Sequence, residues 1–201
     1  MGLNPNNGDP QGYLNKAIST NYSSIINSSD LSDLIYRGPA NPVYFGSLRN
    51  NISYKQVELS FAITWKLDYY FRRPSINYYN LFYGQGPGHP DYEQRWQKPG
   101  DEKYTSVPSE TSNESSYRSS FYSYSDVLIE KGDHIRLQDI QLSYQVNKSE
   151  LRWLPVNQFR IYMYANNLGI LWRANHYGID PDYISGTIPP RTFAAGLKID
   201  L

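Results

Sequence analysis

The chain has 201 residues, with 19 Lys and Arg against 19 Asp and Glu. Zero net charge gives no electrostatic reason to bind nucleic acid or an anionic membrane surface, and the absence of cysteine excludes a disulfide frame and thiolate chemistry. No stretch approaches 18 consecutive apolar residues, which excludes a transmembrane helix. A mean hydropathy of −0.64 still leaves room for a barrel, whose strands show lipid only every second residue.

Residues 1–42 are rich in turn signals, among them Asn4-Pro5-Asn6-Asn7-Gly8-Asp9-Pro10 and Gly38-Pro39-Ala40-Asn41-Pro42. They read as a long loop with room for one short helix. No charged or apolar leader follows Met1, so the expectation is a cytosolic protein or a chain whose beginning is missing.

Two strands of opposite phase follow. From Tyr44 to Tyr54 the even positions are Tyr44, Gly46, Leu48, Asn50, Ile52 and Tyr54. From Gln56 to Asp68 the odd positions are apolar: Val57, Leu59, Phe61, Ile63, Trp65 and Leu67. Strict alternation is the period of a strand with two unlike faces. The inversion at Lys55 and Gln56 predicts a tight antiparallel reversal. Each run is about 11 residues, the length a tilted strand needs to cross a bilayer.

Residues 69–126 show no sustained period, and Ser106–Ser125 reads as a solvated, partly mobile segment rich in Ser and Tyr. A third strand is predicted from about Asp133 to Val146, with a change of parity near Gln138 and Asp139 that suits a bulge. A fourth spans Gln158 to Asn166 and a last one Arg191 to Leu201. Of the connections, 55–56 and 147–157 fall on one side of the strands. The longer segments 1–42, 68–132 and 167–190 fall on the other. Transmembrane barrels sort their turns this way.

No catalytic constellation stands out. His89, His134 and His176 lack metal-ligand spacing, and Asp180-Pro181-Asp182 reads as a turn rather than a calcium cage. Five Asn-x-Ser sequons, at Asn21, Asn27, Asn51, Asn113 and Asn147, are what so much Asn and Ser yields by chance. The 20 tyrosines suit a membrane interface or stacking on sugars, and strands favour aromatics in any case. Glu58 and Lys66, on the polar face of the second strand, are candidates to face a lumen. Arg95 and Trp96 in the longest loop, and Trp172 and Arg173 in the last, are candidate solute contacts.

Several stretches resemble one family in order along the chain. Arg95-Trp96-Gln97-Lys98-Pro99-Gly100-Asp101 with Val107-Pro108 is similar to an outer-loop signature of the SusC/RagA-type TonB-dependent transporters. Gly132 to Tyr144, Arg160-Ile161-Tyr162, Asn166-Asn167-Leu168, Tyr177 to Asp182, Pro190 to Phe193 and Gly196-Leu197 follow in the family's order. Gly2-Leu3-Asn4-Pro5, Gly8-Asp9-Pro10 and Pro42 to Lys55 also fit. Members usually end in an aromatic residue, where this chain has Leu201.

The resemblance implies an all-β fold: antiparallel strands forming the C-terminal part of a large transmembrane barrel with long extracellular loops. It implies import of glycans or similar oligomers, with peptide as the other substrate class, across the outer membrane. The implied partners are a SusD-like surface lipoprotein, membrane lipid, and a TonB complex acting through a plug that these residues do not include. No enzymatic activity and no cofactor are expected. Two alternatives stand beside this: a secreted carbohydrate-binding β-sandwich, and a truncated fragment without independent function.

Overall fold

The computed structural model describes residues 2–27, 34–84, 86–147 and 155–200. In chain order the elements begin with β1 (Gly2–Leu3), β2 (Pro10–Leu14), β3 (Ala17–Ser19) and α1 (Tyr22–Asn27). Then come β4 (Tyr44–Tyr54), β5 (Val57–Leu67), β6 (Tyr70–Arg72), α2 (Tyr78–Tyr83) and α3 (Ser116–Tyr124). The last are β7 (Ile129–Lys131), β8 (His134–Asn147), β9 (Gln158–Arg173) and β10 (Thr192–Asp200). β1–β3 form one sheet, β6 and β7 a second, and the largest has five strands in the order β10-β9-β8-β5-β4. The chain is thus mostly antiparallel β-structure with three short α-helices and three 3-10 turns among the described residues. It divides into two compact units, residues 1–38 with 71–130, and residues 39–70 with 131–201.

The second unit contains the five-stranded sheet. β4 and β5 pair over their whole length, from Tyr44 opposite Leu67 to Tyr54 opposite Val57. Lys55 takes a φ of 53°, a left-handed conformation that lets the chain reverse within residues 55–56. Opposite β5, the register of β8 slips between Ala62 and Ile63: Asp139 faces Ala62 and Leu137 faces Ile63. Gln138 is the extra residue, at the parity change read from the sequence. The slip is what keeps Ile135 and Leu137 on the same side as Ile140 and Leu142.

β9 differs from its expected extent. It runs to Arg173, seven residues beyond Asn166, because two further register shifts against β8 let pairing resume past Asn167. Asn167 and Gly169 both take positive φ there. A period count stops at such a break, although the ladder does not.

The first unit corrects two expectations. Residues 1–42, read as a long loop with room for one short helix, contain that helix as α1 and a three-stranded sheet besides. Residues 69–126 hold two α-helices, and their Ile76, Tyr78, Val107 and Tyr122 form a buried core together with Leu128 just beyond. Within Ser106–Ser125, Ser109, Arg118, Ser119, Tyr122 and Ser125 are buried, so this segment is packed rather than solvated. α3 starts where the Ser115 hydroxyl accepts from the Arg118 amide at 3.1 Å, an N-cap. The Arg118 side chain bonds Asp9 at 2.9 Å, Glu114 at 2.6 Å and the Ser109 carbonyl at 2.9 Å. It ties the start of the chain to residues a hundred positions on. Gly8, at φ +70°, lets the Trp96 indole lie against the backbone; a Cβ there would meet the ring at 2.5 Å.

Candidate functional site: the two faces of the sheet

Residues directly opposite in an antiparallel ladder share a face. Following the registers from β5 outward, one face collects Val57, Leu59, Phe61, Ile63, Trp65 and Leu67. β4 adds Tyr44, Gly46, Leu48, Asn50, Ile52 and Tyr54. β8 contributes Ile135, Leu137, Ile140, Leu142, Tyr144 and Val146, and β9 adds Phe159, Ile161, Met163, Ala165, Gly169 and Trp172. β10 completes it with Phe193, Ala195, Leu197 and Ile199. No Asp, Glu, Lys or Arg occupies any of these positions. Leu48, Ile52, Leu142, Met163, Leu197 and Ile199 on this face are all exposed. Such a contiguous apolar surface marks contact with lipid or a partner.

Aromatic residues sit toward both ends of this face: Tyr44, Trp65 and Trp172 at one, Tyr54 and Tyr144 at the other. Ten steps of about 3.4 Å along a strand tilted by roughly 45° span about 24 Å of height. That matches the apolar band of about 25 Å between aromatic girdles in outer-membrane barrels. Gly46 makes room for Trp65, whose ring a Cβ at that position would meet at 2.4 Å.

The reverse face is polar and its charges are paired. Arg49 reaches from β4 across the small, buried Ala62 to Asp139 on β8, with contacts of 3.0 and 2.8 Å. Glu58 lies 3.6 Å from Arg160, which also bonds Gln145. At the opposite end of the strands the connection after β9 is pinned onto this face. Lys66 bonds Asp182 at 2.7 Å, His134 Nε2 lies 3.3 Å from Asp182 Oδ2, and Arg136 bonds both oxygens of Asp180 at 2.7 Å. His134 and then Lys66 hold the Asp182 carboxyl well below the usual carboxylate range, against the opposing effect of partial burial. The Tyr69 hydroxyl sits 3.2 Å from His134 Nδ1, and burial pushes that phenol upward. The Asn175 side chain bonds the amide and carbonyl of Ile179, closing the turn that carries Asp180 and Asp182.

The sequence-predicted residues separate accordingly. Glu58 and Lys66 lie on the polar face, each beside a partner of opposite charge. Trp172 and Arg173 are strand residues of β9, not loop residues. Trp172 is exposed on the apolar face, and Arg173 bonds the Gly178 carbonyl. Trp96 is only 8% exposed, packed on Gly8 and donating to Glu102 at 3.4 Å, so it anchors its loop. Arg95 lies with its guanidinium 4.0 Å from the centre of the Tyr92 ring and 3.7 Å from Glu110. Arg49, Asp139, His134, Arg136 and Asp180 were missed as a group. Alternation gave their face, but pairing across three strands and a bulge has no sequence spacing. Among the described residues no group of three or more His, Cys, Asp or Glu is placed to hold a metal ion. No described helix is long and apolar enough to cross a membrane.

No family model and no curated protein matches this chain. Solved structures do. A chain of the RagAB peptide transporter matches at 17% identity and a TM-score of 0.67, over 99% of this chain and 21% of that one. The RagAB peptide importer in its "open-open" state gives 18% identity and 0.67, over 100% and 21%. In the "closed-closed" state it gives 19% and 0.69, over 99% and 22%. What is shared is the fold. The present chain spans about a fifth of the length of the chains it matches.

Proposed function

We propose that these residues form part of the wall and outer loops of an outer-membrane, TonB-dependent importer of the SusC/RagA type. The observation that carries this is the sheet face built from five strands without one charged side chain, backed by a face on which charges are paired. Lipid would cover the first and the lumen lie against the second. The pinned connection and the unit of residues 1–38 and 71–130 would then lie on the outer side. Residues 55–56 would lie on the periplasmic side; of the connection 147–157, residues 148–154 lie outside the described residues. The likeness in fold to RagAB chains supports the same reading.

The substrate under this proposal is an oligomer, glycan or peptide, captured with a SusD-like surface lipoprotein and moved by a TonB complex acting on a plug elsewhere in the protein. The chain carries no enzymatic step of its own. A secreted β-sandwich would have to cover the apolar face with a second sheet, yet those side chains are exposed.

Phe61→Arg in the full-length protein is the test. Phe61 is near mid-strand on the apolar face, where a charge costs about 2–4 kcal/mol at the bilayer midplane. Folding into lipid vesicles should weaken by that amount. Unchanged folding would overturn the assignment of this face to lipid.

A further inference from the structure

Leu81, Gly88, His89, Pro90, Tyr92 and Glu93 line a shallow hollow of about 480 Å³, wide open to solvent, within the unit of residues 1–38 and 71–130. Small-ligand sites occupy about 300–1,000 Å³ and combine an apolar lining with a few polar groups. One side of the lining is anchored in the core. Leu81 and Tyr92 pack against the buried cluster around Tyr78. The Tyr92 hydroxyl donates to Glu110 at 2.5 Å, and its ring meets Tyr78 edge-on at 6.3 Å. Arg95 lies against the Tyr92 ring and braces this lining. Pro90 opens a 3-10 turn capped by His89, whose Nδ1 accepts from the Asp91 amide at 3.2 Å.

Glu93 supplies the charge. Asp91 is taken by Arg73 at 2.5 Å, and Glu110 by Tyr92 and Arg95. Glu93 is exposed and forms no ion pair among the described residues. The surrounding unit reinforces its sign: residues 1–38 and 71–130 contain eleven Asp and Glu against eight Lys and Arg. An apolar hollow with an open carboxylate at its side complements an apolar group that carries a cation.

We propose that this hollow binds a peptide presenting an aliphatic or aromatic side chain next to a basic residue, as a capture site on the outer side of the importer. The capture role rests on the importer reading; the binding preference does not. A neutral saccharide could donate a hydroxyl to Glu93 but brings no charge to pair with it, and an acidic peptide would be repelled.

The test uses the full-length protein in detergent, titrated with blocked dipeptides Leu-Lys, Leu-Gln and Leu-Glu. Leu-Lys should bind tightest, and Glu93→Gln should weaken it by about fivefold, the worth of a partly exposed ion pair. High salt should have a similar effect. Glu93→Lys should invert the order in favour of Leu-Glu. Equal affinities for the three peptides, no binding, or an order unmoved by Glu93→Lys would overturn the proposal. So would a neutral oligosaccharide that competes for the hollow and ignores both Glu93 variants. Failure of the importer reading registers elsewhere, in the folding of Phe61→Arg into vesicles, and leaves these affinities unaltered.

Discussion

In the unit of residues 1–38 and 71–130, Leu128 is 1% exposed and Arg118, a full charge, is 5% exposed. In the five-stranded sheet, Leu197 is 64% exposed and Phe193 73%. The first region packs a cluster of apolar side chains inside, although Ile18, Leu34 and Ile35 stay exposed, and it buries the Arg118 charge among several partners. The second turns apolar side chains outward and keeps its charges on the other face. A protein bathed only in water has no reason to do both. The contrast is what two solvents demand of one chain: water around the first region and, under the proposed function, lipid against one face of the second.

The sharpest break in this contrast is Arg118→Ala. It leaves Glu114, which is buried, without its cation, and loss of one member of a buried pair costs about 3–5 kcal/mol. Limited proteolysis should then open residues 109–125 while β4, β5 and β8–β10 stay protected. Next comes a pair of neighbours on β8. Leu142→Arg, on the apolar face, should cost about 2–4 kcal/mol in vesicle folding. Gln141→Arg, one residue away on the polar face, should cost under about 1 kcal/mol. Equal costs would dissolve the distinction between the faces. Gly8→Ala should follow, at about 1–2 kcal/mol for the left-handed backbone alone, together with movement of Trp96 visible in its fluorescence.

The smallest effect concerns pH. The Asp182 carboxyl is lowered in the folded protein. Its contribution is therefore complete above the ordinary value near 3.9 and is lost as pH falls through the lowered one. Protease cutting within residues 183–191 should be flat from pH 7 to about pH 4 and rise only below that. Asp182→Asn should raise cutting at neutral pH and flatten the profile.

β4 was legible to the residue and β5 to within one at each end, because each strand has two unlike faces over its whole length and the phase inverts at one turn. The bulge in β8 was legible for the same reason: a parity change can be seen when both sides of it are regular. The tail of β9 was not, since Asn167 and Gly169 interrupt the alternation while backbone pairing carries on around them. The helix α3 was hidden more thoroughly. Its buried positions are Arg118, Ser119 and Tyr122, which have helical spacing but no aliphatic member, so a hydropathy count finds nothing. The N-cap at Ser115 was one available signal, lost among so many serines. Of the candidate site, the face of Glu58 and Lys66 was readable and their partners were not, because Arg160 and Asp182 lie a hundred or more positions away.

The two units are interleaved along the chain: a piece of one, a piece of the other, then the remainder of each. The carboxylate of Asp9 waits for Arg118, and the β4–β5 hairpin is synthesised between them. The unit of residues 1–38 and 71–130 cannot finish before its second piece has been made, and the other unit must wait until residues 131 onward follow. Contacts between residues so far apart in sequence carry a large loop-closure cost and slow the search for the native state. No single cut separates the two regions into folding pieces, so an excised β4–β5 hairpin or an excised residues 71–130 should each fold poorly.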